Sequence, residues 1–156
     1  MKTMQWYFDR YGESHQNQTN KTIHWICVPL IVFSLAGLLY AIPFPDEKNI
    51  LFNWAAPVLL IALLFYIQKS FSIFIGMLGY TALVLFGNQL LYNLLAQSSG
   101  KLAVVSISIF AIAWVFQFIG HNIEGKKPSF IDDMKFLLIG PAWLLHFIYK
   151  KLNIKY

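Results

Sequence analysis

Four long stretches of apolar residues, nearly free of charge, decide what this chain can fold into. They run from about 25 to 42, 50 to 67, 71 to 95 and 102 to 119. A helix needs roughly 17–25 apolar residues to cross the hydrocarbon core of a bilayer, and each stretch reaches that length. Composition supports the same solvent. Only 12% of the residues are charged, against about 25% in a typical soluble domain, too few to clothe a chain of 156 residues in water. The expected fold is an all-α membrane protein of about four transmembrane helices, forming a single integral membrane domain over residues 1–156.

The separators are short. Pro43 to Asn49 is rich in helix breakers and reads as a turn, Gln68-Lys69-Ser70 as a polar hairpin, and Gln97 to Lys101 as a flexible connection. Pro29 and Pro57 sit inside apolar runs, where neighbouring helices can satisfy the backbone groups that proline frees. The first stretch follows a largely polar segment of 24 residues with both charge signs and is followed by no small-residue cleavage site, so it does not read as a signal peptide. A fifth apolar run, from 136 to 149, is interrupted by Gly140-Pro141 and followed by Lys150 and Lys151. Its length suits a short C-terminal re-entrant or interfacial helix, with a tilted fifth span as the alternative.

Charge sets the expected orientation. With four spans, ten of the twelve basic residues fall on one side, leaving only Lys48 and Lys101 on the other. The positive-inside rule then places both termini in the cytoplasm. The net charge of +5 is scattered singly and in pairs between apolar runs. It forms no basic stripe for nucleic acid and is better explained by anionic lipid headgroups. Cys27, the single cysteine, lies in an apolar run and reads as a small buried hydrophobe, with no disulfide framework available. The five tryptophans fit interfacial belts and lipid-facing packing.

That topology gathers the histidines. His15 and His24 precede the first span and His121 follows the fourth, so all three emerge on the same face. Asn17, Asn20 and His24 are spaced i, i+3, i+7, on one side of a helix, and His121 and Glu124 are i, i+3 neighbours. Neutral imidazoles converging from separate segments, with polar groups to orient them, are what a metal site requires. Such a set suits iron, zinc or copper, and the residues alone select none of these. The bland alternatives are concrete. Interfacial histidines can be amphipathic residues with wet tips, Asn17 and Asn20 can cap a surface helix, and Glu124 with Lys126 and Lys127 can be a solvated charge cluster. His146, beside Trp143 and Lys150, reads as interfacial packing. Four histidines are too few for the clustered boxes of a membrane di-iron desaturase. No glycine-rich phosphate loop, nucleophile elbow or HExxH zinc motif is present.

The pattern Tyr11-x3-His15-x-Asn17-x2-Asn20-x3-His24-x4-Pro29, then Gln117-x2-Gly120-His121-x2-Glu124-Gly125-x2-Pro128, resembles the 2-hydroxy-fatty-acid dioxygenase family of fatty-acid α-oxidation. The likeness extends from about Gln5 to Pro141. Ser129 stands where many relatives have Ala, and the segment with His146 and its basic tail departs from the family pattern. The resemblance implies an Fe(II)-dependent membrane dioxygenase that takes a long-chain 2-hydroxy fatty acid and O2 and releases CO2 and a fatty acid one carbon shorter. It implies His15, His24 and His121 as iron ligands. Glu124, Asn20 and Asn17 would then act around the metal, and Lys126 or Lys127 would attract the substrate carboxylate. A heme or metal carrier without catalysis, with His24 and His121 as paired axial ligands, is the competing reading. A structural or transport protein is the third.

Overall fold

The computed structural model describes residues 3–125 and 136–156, in which six helices and no strand occur. These are α1 (Met4–Gly12), α2 (Gln18–Ala41), α3 (Ala55–Ile67), α4 (Phe71–Leu94), α5 (Ser99–Ile123) and α6 (Ile139–Lys151). The all-α expectation holds. Helices α2, α4 and α5 have 24, 24 and 25 residues and are each long and apolar enough to cross a membrane. At 1.5 Å per residue they reach about 36–38 Å. Their outward positions, such as Leu83, Phe86, Val104, Ile107 and Ile112, are exposed, an arrangement that suits lipid and that water would penalise.

The second apolar stretch differs from expectation. Its helix has 13 residues and begins at Ala55, so the first five residues of the predicted span stay outside it. Two asparagines explain this. Asn49 Oδ1 accepts the backbone N–H groups of Leu51 and Phe52, both at 3.0 Å. Asn53 Nδ2 donates to the carbonyls of Asn49 at 2.9 Å and Ile50 at 3.0 Å, and its Oδ1 accepts Ala56 N–H at 3.0 Å. Short polar side chains thus offer the backbone an alternative to the helical ladder. Pro57 falls in the first turn of α3, where no intrahelical N–H is needed.

α2 and α5 dominate the packing and lie antiparallel, because the start of α2 meets the end of α5. The buried residues of α2 include Asn20, His24, Cys27, Ile31 and Ser34, a stripe at three- and four-residue intervals. They face Ser106, Ala113, Gln117, Gly120 and His121 of α5. Both helices extend beyond the apolar stretches. Asn17 caps α2 by accepting from Thr19 N–H at 2.8 Å and Asn20 N–H at 3.3 Å, and α5 continues to Ile123. His24 and His121 therefore ride on terminal turns of long rigid helices.

α6, about 20 Å long, is short of a full crossing. It packs against α1, α2 and α4, burying Ile139, Trp143, Leu144 and Tyr149 against Met4, Phe8 and Tyr11 of α1 and Met77 of α4. Tyr149 donates its hydroxyl to the Ser72 carbonyl at 2.7 Å, and Tyr66 donates to that of Leu138 at 2.5 Å. α1 and α6 thereby cover the end of the α2–α5 pair that carries the histidines.

Candidate metal centre

The connection from α1 to α2 folds inward at His15. Its backbone N–H donates to the Gly12 carbonyl at 3.0 Å, and its ring lies face to face on Tyr11, with centroids 4.2 Å apart and planes at 14°. His24 enters from the second turn of α2 and His121 from the last turn of α5. The His15 ring centroid is 4.2 Å from that of His24 and 5.4 Å from that of His121, and His24 and His121 are 5.1 Å apart. Exposures of 1%, 0% and 3% shield all three rings from solvent.

Backbone carbonyls decide which ring nitrogen is offered. His15 Nδ1 lies 2.7 Å from the Tyr11 carbonyl, and His24 Nδ1 lies 2.9 Å from that of Asn20. A carbonyl only accepts, so each Nδ1 carries the proton and each Nε2 keeps its lone pair. His24 Nε2 is buried with no partner at hydrogen-bond distance, and the Gln117 side chain faces the same ring. One ligand atom from each of the three histidines lies within 4.8 Å of the others.

Three atoms no more than 4.8 Å apart all lie within about 2.8 Å of a common centre, and metal–imidazole bonds are about 2.0–2.1 Å. An inward movement of less than about 1 Å per ring would complete coordination. Neutral imidazoles suit iron, zinc or copper, and three protein ligands leave positions open for other molecules. The residues present therefore fit a catalytic type of metal ion. A heme held between His24 and His121 would need a flat gap as wide as the macrocycle between them. The His15 ring stands against both.

Glu124 caps the end of α5 and fastens the chain before α2 to it. Its Oε1 accepts Gln16 N–H at 2.7 Å, and its Oε2 accepts Asn17 N–H at 2.8 Å and Asn20 Nδ2 at 3.1 Å. Burial opposes ionisation of Glu124, but the Gln16 and Asn17 donors, the Asn20 amide and the nearby His15 together outweigh it and lower its pKa. Both carboxylate oxygens are thus committed to the loop that carries His15. Asn20, fully buried, also donates to the Ser14 carbonyl at 3.3 Å, and its own carbonyl holds the His24 ring. Asn17 is the exposed helix cap and lies one step further from the imidazoles. Lys126 and Lys127 lie outside the described residues.

His146 does not join the three imidazoles. It stacks on Phe8, with centroids 4.9 Å apart, and packs against Phe147 and Tyr156. Burial depresses its pKa to about 4, with the nearby Lys150 acting in the same direction and Asp9 against it. Two contributions escape a reading of residue types alone. Tyr11 supplies both the ring under His15 and the carbonyl on its Nδ1. Gly120 lets α5 press onto α2, since a Cβ there would collide with the Asn20 amide oxygen. Both stand in the motif without metal-binding chemistry of their own to flag them. An open polar cavity of about 320 Å³ reaches His15 and is also lined by Lys21, Trp143, His146 and Lys150.

Comparison with known proteins adds an independent line. The model of the family described as 2-hydroxy-palmitic acid dioxygenase Mpo1-like matches residues 1–152. The chain is similar to the 2-hydroxy-palmitic acid dioxygenase MPO1 of Saccharomyces cerevisiae, with 29% identity over 146 residues, covering 90% of this chain and 76% of the yeast protein. No solved structure matches the chain.

Proposed function

The chain belongs to the 2-hydroxy-palmitic acid dioxygenase Mpo1-like family, and from that premise we propose that it is an Fe(II)-dependent dioxygenase of α-oxidation. Its substrate is a long-chain 2-hydroxy fatty acid and its co-substrate is O2. The bond between C1 and C2 breaks, C1 leaves as CO2, and C2 becomes the carboxyl of an acid one carbon shorter. Oxygen is the oxidant, and one water balances the atoms. The observation that carries this reading is the convergence of three buried imidazoles, at least two of them fixed as Nε2 donors by backbone carbonyls.

His15, His24 and His121 hold the metal. Bound iron would pass electrons from the substrate to O2 and would offer the adjacent coordination positions that bring the two together. Asn20 and Tyr11 orient the rings of His24 and His15 through their carbonyls, and Glu124 holds the two ends of the chain in register. Asn17 starts α2 at the residue that sets this register. Burial of all three rings excludes bulk water from the reacting head. Lys126 and Lys127 draw in the carboxylate from the membrane surface. Within this reading the whole chain is one membrane domain and both termini face the cytoplasm.

Purified protein in nanodiscs tests this directly. We expect about one iron per chain, and conversion of 2-hydroxypalmitate to a C15 acid with consumption of O2 and release of CO2. A chelator should abolish the reaction and Fe(II) restore it. Iron-loaded protein that leaves 2-hydroxy acids intact would overturn the assignment. A strong Soret band without non-heme iron would turn it toward a carrier.

A further inference from the structure

Below the imidazoles the interior is apolar and hollow. A narrow space of about 20 Å³ is lined by Tyr11, Val28, Ile31, Gln117, Leu137 and Gly140. Tyr11 carries His15 and Gln117 faces His24, so this space adjoins the metal centre. Leu137 also lines a second cavity, of about 330 Å³, walled by α2, α3, α4 and the start of α6. That volume lies within the range of small-molecule sites, roughly 300–1,000 Å³.

α2 supplies a continuous wall. His24, Val28, Ile31, Leu35 and Leu39 fall at i, i+4, i+7, i+11 and i+15, one narrow stripe of a helix. Val28 lies about 6 Å and Leu39 about 22 Å along the axis from His24. The apolar run between them is about 16 Å, close to one leaflet of a roughly 30 Å hydrocarbon core, which is the depth a long acyl chain fills. The two tyrosine hydroxyls on the wall are turned to other use. Tyr66 donates to the Leu138 carbonyl and Tyr80 to that of Pro29 at 3.3 Å, so both present ring surface to the cavity. Polarity falls from the imidazoles, past Gln117, to a wall that is apolar but for Thr81 and two tyrosine hydroxyls.

We propose that this pair of cavities is the alkyl-chain subsite of the enzyme. The 2-hydroxy acid head sits at the imidazoles, the first methylenes pass between Tyr11 and Leu137, and the tail lies between α2, α3 and α4. The inference rests on the proposed reaction for the identity of the head. Cavity depth then sets chain length, because apolar pockets discriminate by methylene. Leu137 and Gly140 form the neck, and a Cβ at Gly140 would already touch Val28 at 3.0 Å and the Tyr11 hydroxyl at 3.3 Å.

Photoaffinity labelling of the full chain in nanodiscs tests the path. Two 2-hydroxypalmitate analogues are used, one with a diazirine near C5 and one with it at the far end. The first should label Val28, Ile31 or Leu137, and the second Leu39, Leu59 or Ala62. Ala62→Phe, which adds a ring to the deep wall, should cut terminal labelling about tenfold and disfavour the longest acids by a similar factor. Leu60→Phe, on the exposed face of α3, should change neither. Labels from both probes confined to exposed residues such as Leu60, Ile61 and Leu83, or displaced equally by an ordinary phospholipid, would overturn the subsite. If Ala62→Phe does not fold, the order of labels in the unaltered protein decides. Ordered labelling without chain shortening would sink the proposed reaction and leave the subsite standing. Shortening with disordered labels would do the reverse.

Discussion

At Gly37 and at Gly120, the lack of a side chain lets one helix of the bundle press against polar groups of another. Around Gly37 these are Asn88 of α4 and Ser106 of α5, both fully buried. Asn88 Nδ2 donates to the Val84 carbonyl of its own helix at 3.0 Å and to the Phe33 carbonyl of α2 at 3.2 Å, the latter the kind of interhelical bond that holds membrane helices together. Around Gly120 lies Asn20, and beyond it the three imidazoles. There the Nδ1 atoms of His15 and His24 are bonded to backbone carbonyls, and one ligand atom from each of the three rings lies within 4.8 Å of the others. Buried polarity alone therefore does not mark a metal site. The mark is a set of imidazole nitrogens gathered at one point, with the other nitrogen of His15 and of His24 already held by a carbonyl.

The largest expected effect separates these two clusters. His24→Ala or His121→Ala should remove bound iron and lower turnover by at least about a thousandfold. Ser106→Ala should leave iron content unchanged, as measured by metal analysis of purified protein. Iron retained at full occupancy in both histidine variants would erase the distinction.

Next in size is the fastening that only the histidine end possesses. Glu124→Gln leaves an acceptor but removes the charge, and iron should bind about 10–100-fold more weakly. Competition with a graded chelator series reads this directly. If Glu124 were itself a ligand, the substitution would resemble loss of a histidine.

The glycines sharpen the comparison through stability. Gly37→Ala and Gly120→Ala should each cost about 1–3 kcal/mol by overpacking, seen as a lower unfolding midpoint in detergent. Only Gly120→Ala should also weaken metal binding, since it displaces the residue whose carbonyl fixes His24. The smallest effect concerns His146, a buried imidazole outside both clusters. Unfolded, it takes a proton near 6.5; folded, only near 4. Stability is therefore complete above about pH 6.5 and declines as pH falls toward 4. His146→Phe should flatten that slope and leave the iron content intact.

Much of this was legible in the residues, for physical reasons. Lipid demands long apolar runs, so α2, α4 and α5 are visible in hydropathy, and the antiparallel pairing of α2 with α5 brings His24 and His121 to one end, where His15 joins them. The start of α3 was not legible, because Asn49 and Asn53 spend their side chains on local backbone and cancel a helix that apolarity alone would allow. Asn17 was legible as a helix cap, the role it has, whereas Glu124 was recognisable as part of the site but not by role. Whether a carboxylate meets a metal or a loop depends on how residues 13–17 turn, and no spacing rule encodes that turn. The Tyr11 carbonyl is a backbone group, invisible to any reading by side-chain type.

The bonds from Glu124 to Gln16 and Asn17 join positions 108 and 107 residues apart. A ribosome releases the first partners long before the last. Domains emerge from synthesis N-terminal part first, so the early spans are threaded into the bilayer while His15 and His24 still lack their companion. The centre closes only when the final long helix arrives and its acidic cap catches the loop. A metal ion that needs all three imidazoles could thus be held only late, by a finished molecule.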